Sequence, residues 1–149
     1  MSSLSQTLEQ AKQVALANGL PYAGAVTPQQ AWELLQTAPS AKLIDVRSRQ
    51  ELELVGRIPG AVHIEWSYYP DWKPNPDFLA HLKMQIDNES LVMFICRTGG
   101  RSHNAAVAAQ QAGFTESYNV LQGFEGEANH DKQRGKINGW KAAGLPWSN

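Results

Sequence analysis

Apolar positions along this chain come in short blocks whose spacing switches between two periods. Across residues 2–18, Leu4, Leu8, Ala11, Val14 and Ala15 fall near helical spacing, and Asn18-Gly19 supplies a C-terminal stop. Residues 1–20 are therefore expected to be an N-terminal helical extension, either docked on the rest or frayed from it. Thr27-Pro28 has the form of an N-cap followed by proline, and opens a second helix through Ala31, Trp32, Leu34 and Leu35. Further helices are predicted over 49–55, 78–86 and 101–112.

Between these helices lie blocks with the character of strands, at 22–26, 42–46, 61–64, 91–95 and 117–120. The blocks at 42–46 and 91–95 are apolar with little alternation, as in strands covered on both faces of a parallel sheet. Strands alternating with helices predict a parallel α/β sheet with right-handed crossovers, in a single domain over 21–149. Residues 66–77 fit neither period: Trp66, Tyr68, Tyr69 and Trp72 stand among Pro70, Pro74 and Pro76, predicting an aromatic loop or rim. From Gly123 to Trp140 the chain turns polar and glycine-rich.

Composition narrows the function classes. A chain of 149 residues fits one domain and buries enough surface to hold a core without disulfides. With 42% hydrophobic and 18% charged residues it is not a disordered chain. Thirteen Lys and Arg against 14 Asp and Glu leave no basic excess to bind nucleic acid. No signal-like segment stands at the N-terminus and no apolar run approaches bilayer length, so a soluble, cytoplasmic protein is expected. His63, His81, His103 and His130 lie far apart without paired ligand spacing, and neither a metal nor a cofactor is expected. His103 is expected to face solvent; Asp45, Arg47 and His63 are read as structural.

The one cysteine, Cys96, excludes an intrachain disulfide and directs attention to its reactivity. It closes the block Leu91-Val-Met-Phe-Ile and opens Arg97-Thr98-Gly99-Gly100-Arg101-Ser102, just before an alanine-rich helix. Open α/β sheets bind ligands at that edge. Glycines let backbone N–H groups turn inward, and the helix directs its positive end to the same point. A free thiol is only a few per cent ionised at neutral pH. Hydrogen bonds to a charged acceptor contribute about 1.5–3 kcal/mol each, more than the roughly 0.3–1 kcal/mol of a helix dipole. Arg97 and Arg101 add positive field. Thr98 and Ser102 are read either as helix caps or as donor-binding groups. The loop is therefore expected to hold a thiolate at Cys96 and an anionic substrate on residues 97–102.

Five segments in order resemble the rhodanese (sulfurtransferase) family, in its single-domain form. They are Leu43-Ile44-Asp45-Val46-Arg47, Gly56-Arg57-Ile58-Pro59-Gly60-Ala61-Val62-His63-Ile64, the Cys96 loop, Tyr118-Asn119-Val120-Leu121-Gln122-Gly123-Phe124, and Trp140 with Gly144-Leu145-Pro146. The resemblance implies an α/β rhodanese-like fold with a central five-stranded parallel sheet flanked by helices. It also implies a catalytic cysteine that takes sulfane sulfur from a donor such as thiosulfate and passes it to cyanide or a thiol, a protein thiol among them. A phosphatase of the same fold has five residues between its cysteine and arginine; here four separate Cys96 from Arg101. A non-enzymatic persulfide carrier is the other alternative. The polar segment 127–139 departs from the family pattern and is expected beside the pocket mouth, where it would influence which acceptor enters.

Overall fold

In the computed structural model, which describes residues 4–149, five strands form one sheet in the order β1-β7-β6-β2-β3, every neighbouring pair parallel. The strands are β1 (Gly24–Val26), β2 (Lys42–Asp45), β3 (Val62–His63), β6 (Val92–Ile95) and β7 (Ser117–Val120). The helices are α1 (Leu4–Ala17), α2 (Pro28–Thr37), α3 (Arg49–Val55), α4 (Phe78–Gln85) and α5 (Gly100–Gln111). The expected five-stranded parallel sheet with flanking helices is the observed architecture.

Local chemistry explains the helix starts. Thr27 accepts the Gln30 N–H while the Gln30 side chain accepts the Thr27 N–H, and Pro28 occupies the first turn of α2. Ser48 and Glu51 form the same reciprocal box at α3. Along β2 and β6 the side chains alternate between two cores. Leu43, Met93 and Ile95 join Leu34 of α2, Phe124 and Trp140 on one face. Ile44, Val92, Phe94 and Cys96 join Leu82 of α4 and Ala105, Ala106 and Ala109 of α5 on the other. Each fully buried aliphatic or Phe side chain contributes about 1.5–3 kcal/mol, so the sheet is fixed from both sides.

Of the two readings of the first helix, the docked one is observed. Ala11 is buried in the first core and Leu4 and Leu8 pack against it, while Thr7 donates to Glu33 of α2 at 3.3 Å. Residues 2 and 3 of the expected helix lie outside the described residues. The aromatic segment contains a small antiparallel hairpin, β4 (Ser67–Tyr68) with β5 (Lys73–Pro74). No helix among the described residues is long and apolar enough to cross a membrane.

Asp45 of β2 pairs in register with Ile95 of β6, so the two strands end level. From β2 the chain next builds β3 on one side; from β6 it next builds β7 on the other. The ends of β2 and β6 therefore flank the point where the sheet order switches direction, the place where α/β sheets open a crevice.

Candidate active site

Cys96 is the first residue beyond β6, and its loop folds back onto its own sulfur. The Gly99 N–H donates to Cys96 Sγ at 3.0 Å, and Ser102 Oγ lies 3.4 Å from the same sulfur. Gly99 makes this turn at φ +110°, a conformation glycine adopts without steric cost. It is also the N-cap of α5, with no side-chain cap, so neither Thr98 nor Ser102 caps the helix. Thr98 is exposed and Ser102 is fully buried. One amide donates to the sulfur and one hydroxyl lies close to it, rather than a ring of amides.

The Ser102 hydroxyl carries one proton and stands between two acceptors. Its 2.6 Å approach to Asn119 Oδ1 is the shorter, and the Asn119 side-chain amide in turn donates to the Gly99 carbonyl at 3.3 Å. Asn119 of β7 thus ties together the two groups that contact the sulfur. Behind it, the Tyr22 hydroxyl meets His103 Nδ1 at 2.7 Å. Burial pushes the Tyr22 hydroxyl above its ordinary range, against a lowering hydrogen bond with Asn119. His103 is half-buried against Tyr22 rather than facing solvent as expected, because β1 runs beside β7 and brings the residue-22 turn under α5.

A backbone clamp holds the loop from the other side. Phe124 N–H donates to the Cys96 carbonyl at 2.8 Å and Glu125 N–H to the Arg97 carbonyl at 3.0 Å. A Cβ at Gly123 would stand 2.6 Å from the Arg97 carbonyl group, so only glycine allows this approach.

The two arginines are both engaged. Arg101 grips Glu51 of α3 at 2.6 and 2.8 Å through both terminal nitrogens, and Arg97 meets Glu125 at 3.1 Å. Burial alone would raise the Glu51 pKa, but hydrogen bonds from Arg101 and Ser48 and the Arg101 charge outweigh it and hold the group below its ordinary range. Burial would lower Arg101, yet Glu51, with smaller contributions from Cys96 and Asp45, holds it raised. The positive field expected from the two arginines is therefore largely cancelled by two carboxylates that local reading of the sequence did not connect to the site. Gly100, exposed, is the first residue of α5.

Above Arg101 and Arg97 opens a cavity of about 260 Å³ between Glu51 and Leu54 of α3, Glu125, and the aromatic hairpin. Trp72 lays its ring over the Arg101 guanidinium, 4.9 Å from the centroid, and Tyr69 packs edge-on against Trp72. Of the four aromatics expected as loop or rim, Tyr69 and Trp72 line the cavity. Trp66 instead packs against Phe78 in the second core, and Tyr68 is exposed. No residue of 127–139 lines this cavity; Arg134 and Asn138 fasten that segment onto Gly126 and Glu127.

The Asp45–Arg47 pair lies at the end of β2, with Nε 2.9 Å from Oδ1 and a terminal nitrogen 2.7 Å from Oδ2. Arg47 also donates to the Gly56 carbonyl, and its own carbonyl meets His63 Nε2 at 2.7 Å. Among the described residues no group of three or more His, Cys, Asp or Glu side chains is placed to hold a metal ion.

Comparison with known proteins agrees with this geometry. The family described as Rhodanese-like domain matches residues 27–130. The crystal structure of Rv0390 from M. tuberculosis is 45% identical and superposes with a TM-score of 0.78, covering 85% of this chain and 97% of that one. An uncharacterized protein of Rickettsia rickettsii is 35% identical over 119 residues, 78% of this chain and 90% of its own. Thiosulfate sulfurtransferase GlpE of Actinobacillus succinogenes is 29% identical over 121 residues, 81% of this chain and 86% of its own.

Proposed function

The chain belongs to the family of rhodanese-like domains, and from that premise we propose that it is a sulfurtransferase working through a persulfide on Cys96. The Cys96 thiolate attacks the outer sulfur of thiosulfate, or of a related sulfane donor. The donor's S–S bond breaks, sulfite leaves with its electron pair, and Cys96 carries an S–S⁻ group. Cyanide or a thiolate, including one on a protein, then attacks the terminal sulfur and returns the Cys96 thiolate. This is covalent catalysis with one nucleophile and two half-reactions.

The observation that carries the proposal is the Gly99 N–H directed at Cys96 Sγ. It favours a charged sulfur, whether thiolate or persulfide. Hydrogen-bonded contact between a side-chain base and Sγ is absent among the described residues, which suits sulfur transfer because attack on sulfane sulfur removes no proton from the substrate. Residues 97–102 form the proposed donor-binding loop, with Arg101 holding the donor's oxygens when it exchanges partners. The GlpE resemblance supports the same reaction class. The four-residue spacing from Cys96 to Arg101 supports sulfur over phosphate as the transferred group.

Mass spectrometry after incubation with thiosulfate, inorganic polysulfide or an organic thiosulfonate tests the proposal. One added sulfur atom is expected on the wild type and none on Cys96→Ser. No added sulfur with any of the three donors overturns it. Loading without release to cyanide or glutathione would instead identify a persulfide carrier.

A further inference from the structure

Glu51 is fixed on Arg101, the residue proposed above to hold the donor's oxygens. Its carboxylate spans both terminal nitrogens of Arg101 at 2.6 and 2.8 Å. It cannot turn away freely, because Oε1 also accepts the Ser48 N–H and hydroxyl at 3.0 Å each, closing the α3 capping box. The second arginine is occupied as well, by Glu125. The cavity mouth therefore carries two positive and two negative side chains and Gln50, and its apolar surface is made by the Trp72 and Tyr69 rings, Val55 and the exposed Leu54.

A small dianion entering here meets no unpaired cation and must break a bidentate pair that the α3 cap holds in place. A singly charged donor with an apolar group suffers less repulsion from Glu51 and covers the Trp72 ring. We propose that Glu51 determines donor specificity, disfavouring dianionic donors and leaving the site to singly charged sulfane-sulfur donors that seat an apolar substituent on Trp72, Tyr69 and Leu54. Organic persulfides and organic thiosulfonates have this chemistry. The inference rests on the sulfurtransferase reading above. For a thiosulfonate, Cys96–S⁻ attacks the outer sulfur of R–SO₂–S⁻, the S–S bond breaks, and R–SO₂⁻ leaves with the electron pair. Cys96–S–S⁻ remains, with two negative charges on each side of the step.

Two donors isolate the effect. Benzenethiosulfonate is thiosulfate with one anionic oxygen replaced by a phenyl ring, and both deliver the same sulfane sulfur. Their intrinsic reactivities differ, so the quantity compared is the ratio of single-turnover loading rate constants, thiosulfate over benzenethiosulfonate, across protein variants. Glu51→Gln keeps an oxygen for the Ser48 cap and removes the charge. It is expected to raise this ratio about tenfold, through faster loading by thiosulfate. Trp72→Ala is expected to raise the ratio by a similar factor, about five- to tenfold, through slower loading by benzenethiosulfonate. An unchanged ratio in Glu51→Gln, or a fall in the thiosulfate constant, overturns the assignment of Glu51. An unaltered benzenethiosulfonate constant in Trp72→Ala overturns the apolar seat. Failure of the wild type to load sulfur from either donor is a separate result and overturns the sulfurtransferase reading itself.

Discussion

Two bidentate arginine–carboxylate pairs stand near Cys96, and burial separates what they do. Asp45–Arg47 is sealed at the end of β2, with side-chain exposures of 2% and 0%, while Glu51–Arg101 borders the cavity at 15% and 22%. The sealed pair joins the end of β2 to the Gly56 carbonyl after α3 and to His63 of β3, and the Arg47 guanidinium lies over Phe124 at 4.1 Å. One Arg47 nitrogen has no hydrogen-bond partner among the described residues, a measure of how tightly the site is closed. Exchange of partner there would strand a charge in the core. At the mouth a solvated anion can compete for Arg101, so the same pairing becomes a means of selection. Identical chemistry thus anchors the sheet edge in one place and meets the substrate in the other.

The sharpest way to break the comparison is to remove one member of the sealed pair. Arg47→Ala leaves Asp45 buried without a counter-charge and should cost about 3–5 kcal/mol in urea unfolding. Asp45→Asn combined with Arg47→Met removes both charges and keeps an acceptor for the residue-47 N–H. It should recover most of that loss. A loss below about 1 kcal/mol for Arg47→Ala would place this pair with exposed ones and remove the distinction.

The mouth pair should show the opposite balance. Arg101→Ala is expected to cost about 1 kcal/mol of stability at most, as for partly exposed pairs. It should slow sulfur loading of Cys96 about a hundredfold, the scale on which loss of one charge-stabilising donor acts. Unfolding curves and single-turnover loading measured on the same preparation give both values. Glu51→Ala, which breaks the α3 box as well as the pair, should cost about 1–2 kcal/mol.

The contrast between the pairs also marks how far the sequence could be read. Both members of Asp45–Arg47 lie two residues apart at the end of β2, and their structural role was legible there. So were the Thr27-Pro28 start of α2, the extent of α3 and the buried strand before Cys96, because each is written within a few neighbouring residues. Ser48-x-x-Glu51 is likewise a local capping signal, seen only in the structure here. Its second partner was not legible: Arg101 lies 50 positions away, and the two meet only because β2 and β6 are neighbours. The Tyr22–His103 contact has the same origin, across 81 positions. The β4–β5 hairpin was missed because two-residue strands carry no period, and 127–139 because its fastening to the Gly123–Gly126 region runs through turns and side chains.

The smallest expected effect tests whether the mouth pair behaves as a titrating contact. Glu51 is held below its ordinary value of 4.5, so in the unfolded chain it takes up a proton at higher pH than in the folded one. Its stabilising contribution is complete above that ordinary value and is lost as pH falls through the lower, folded value. Glu51→Gln removes this titration and leaves the cap. The stability gap between wild type and Glu51→Gln should therefore be about 0.5–1 kcal/mol near neutral pH and close as the solution becomes acidic. Paired urea titrations across the acid range measure the gap directly. A gap of the same size at every pH would mean that Glu51 acts through shape and hydrogen bonding alone. The sealed pair would then be the only one of the two whose charge matters.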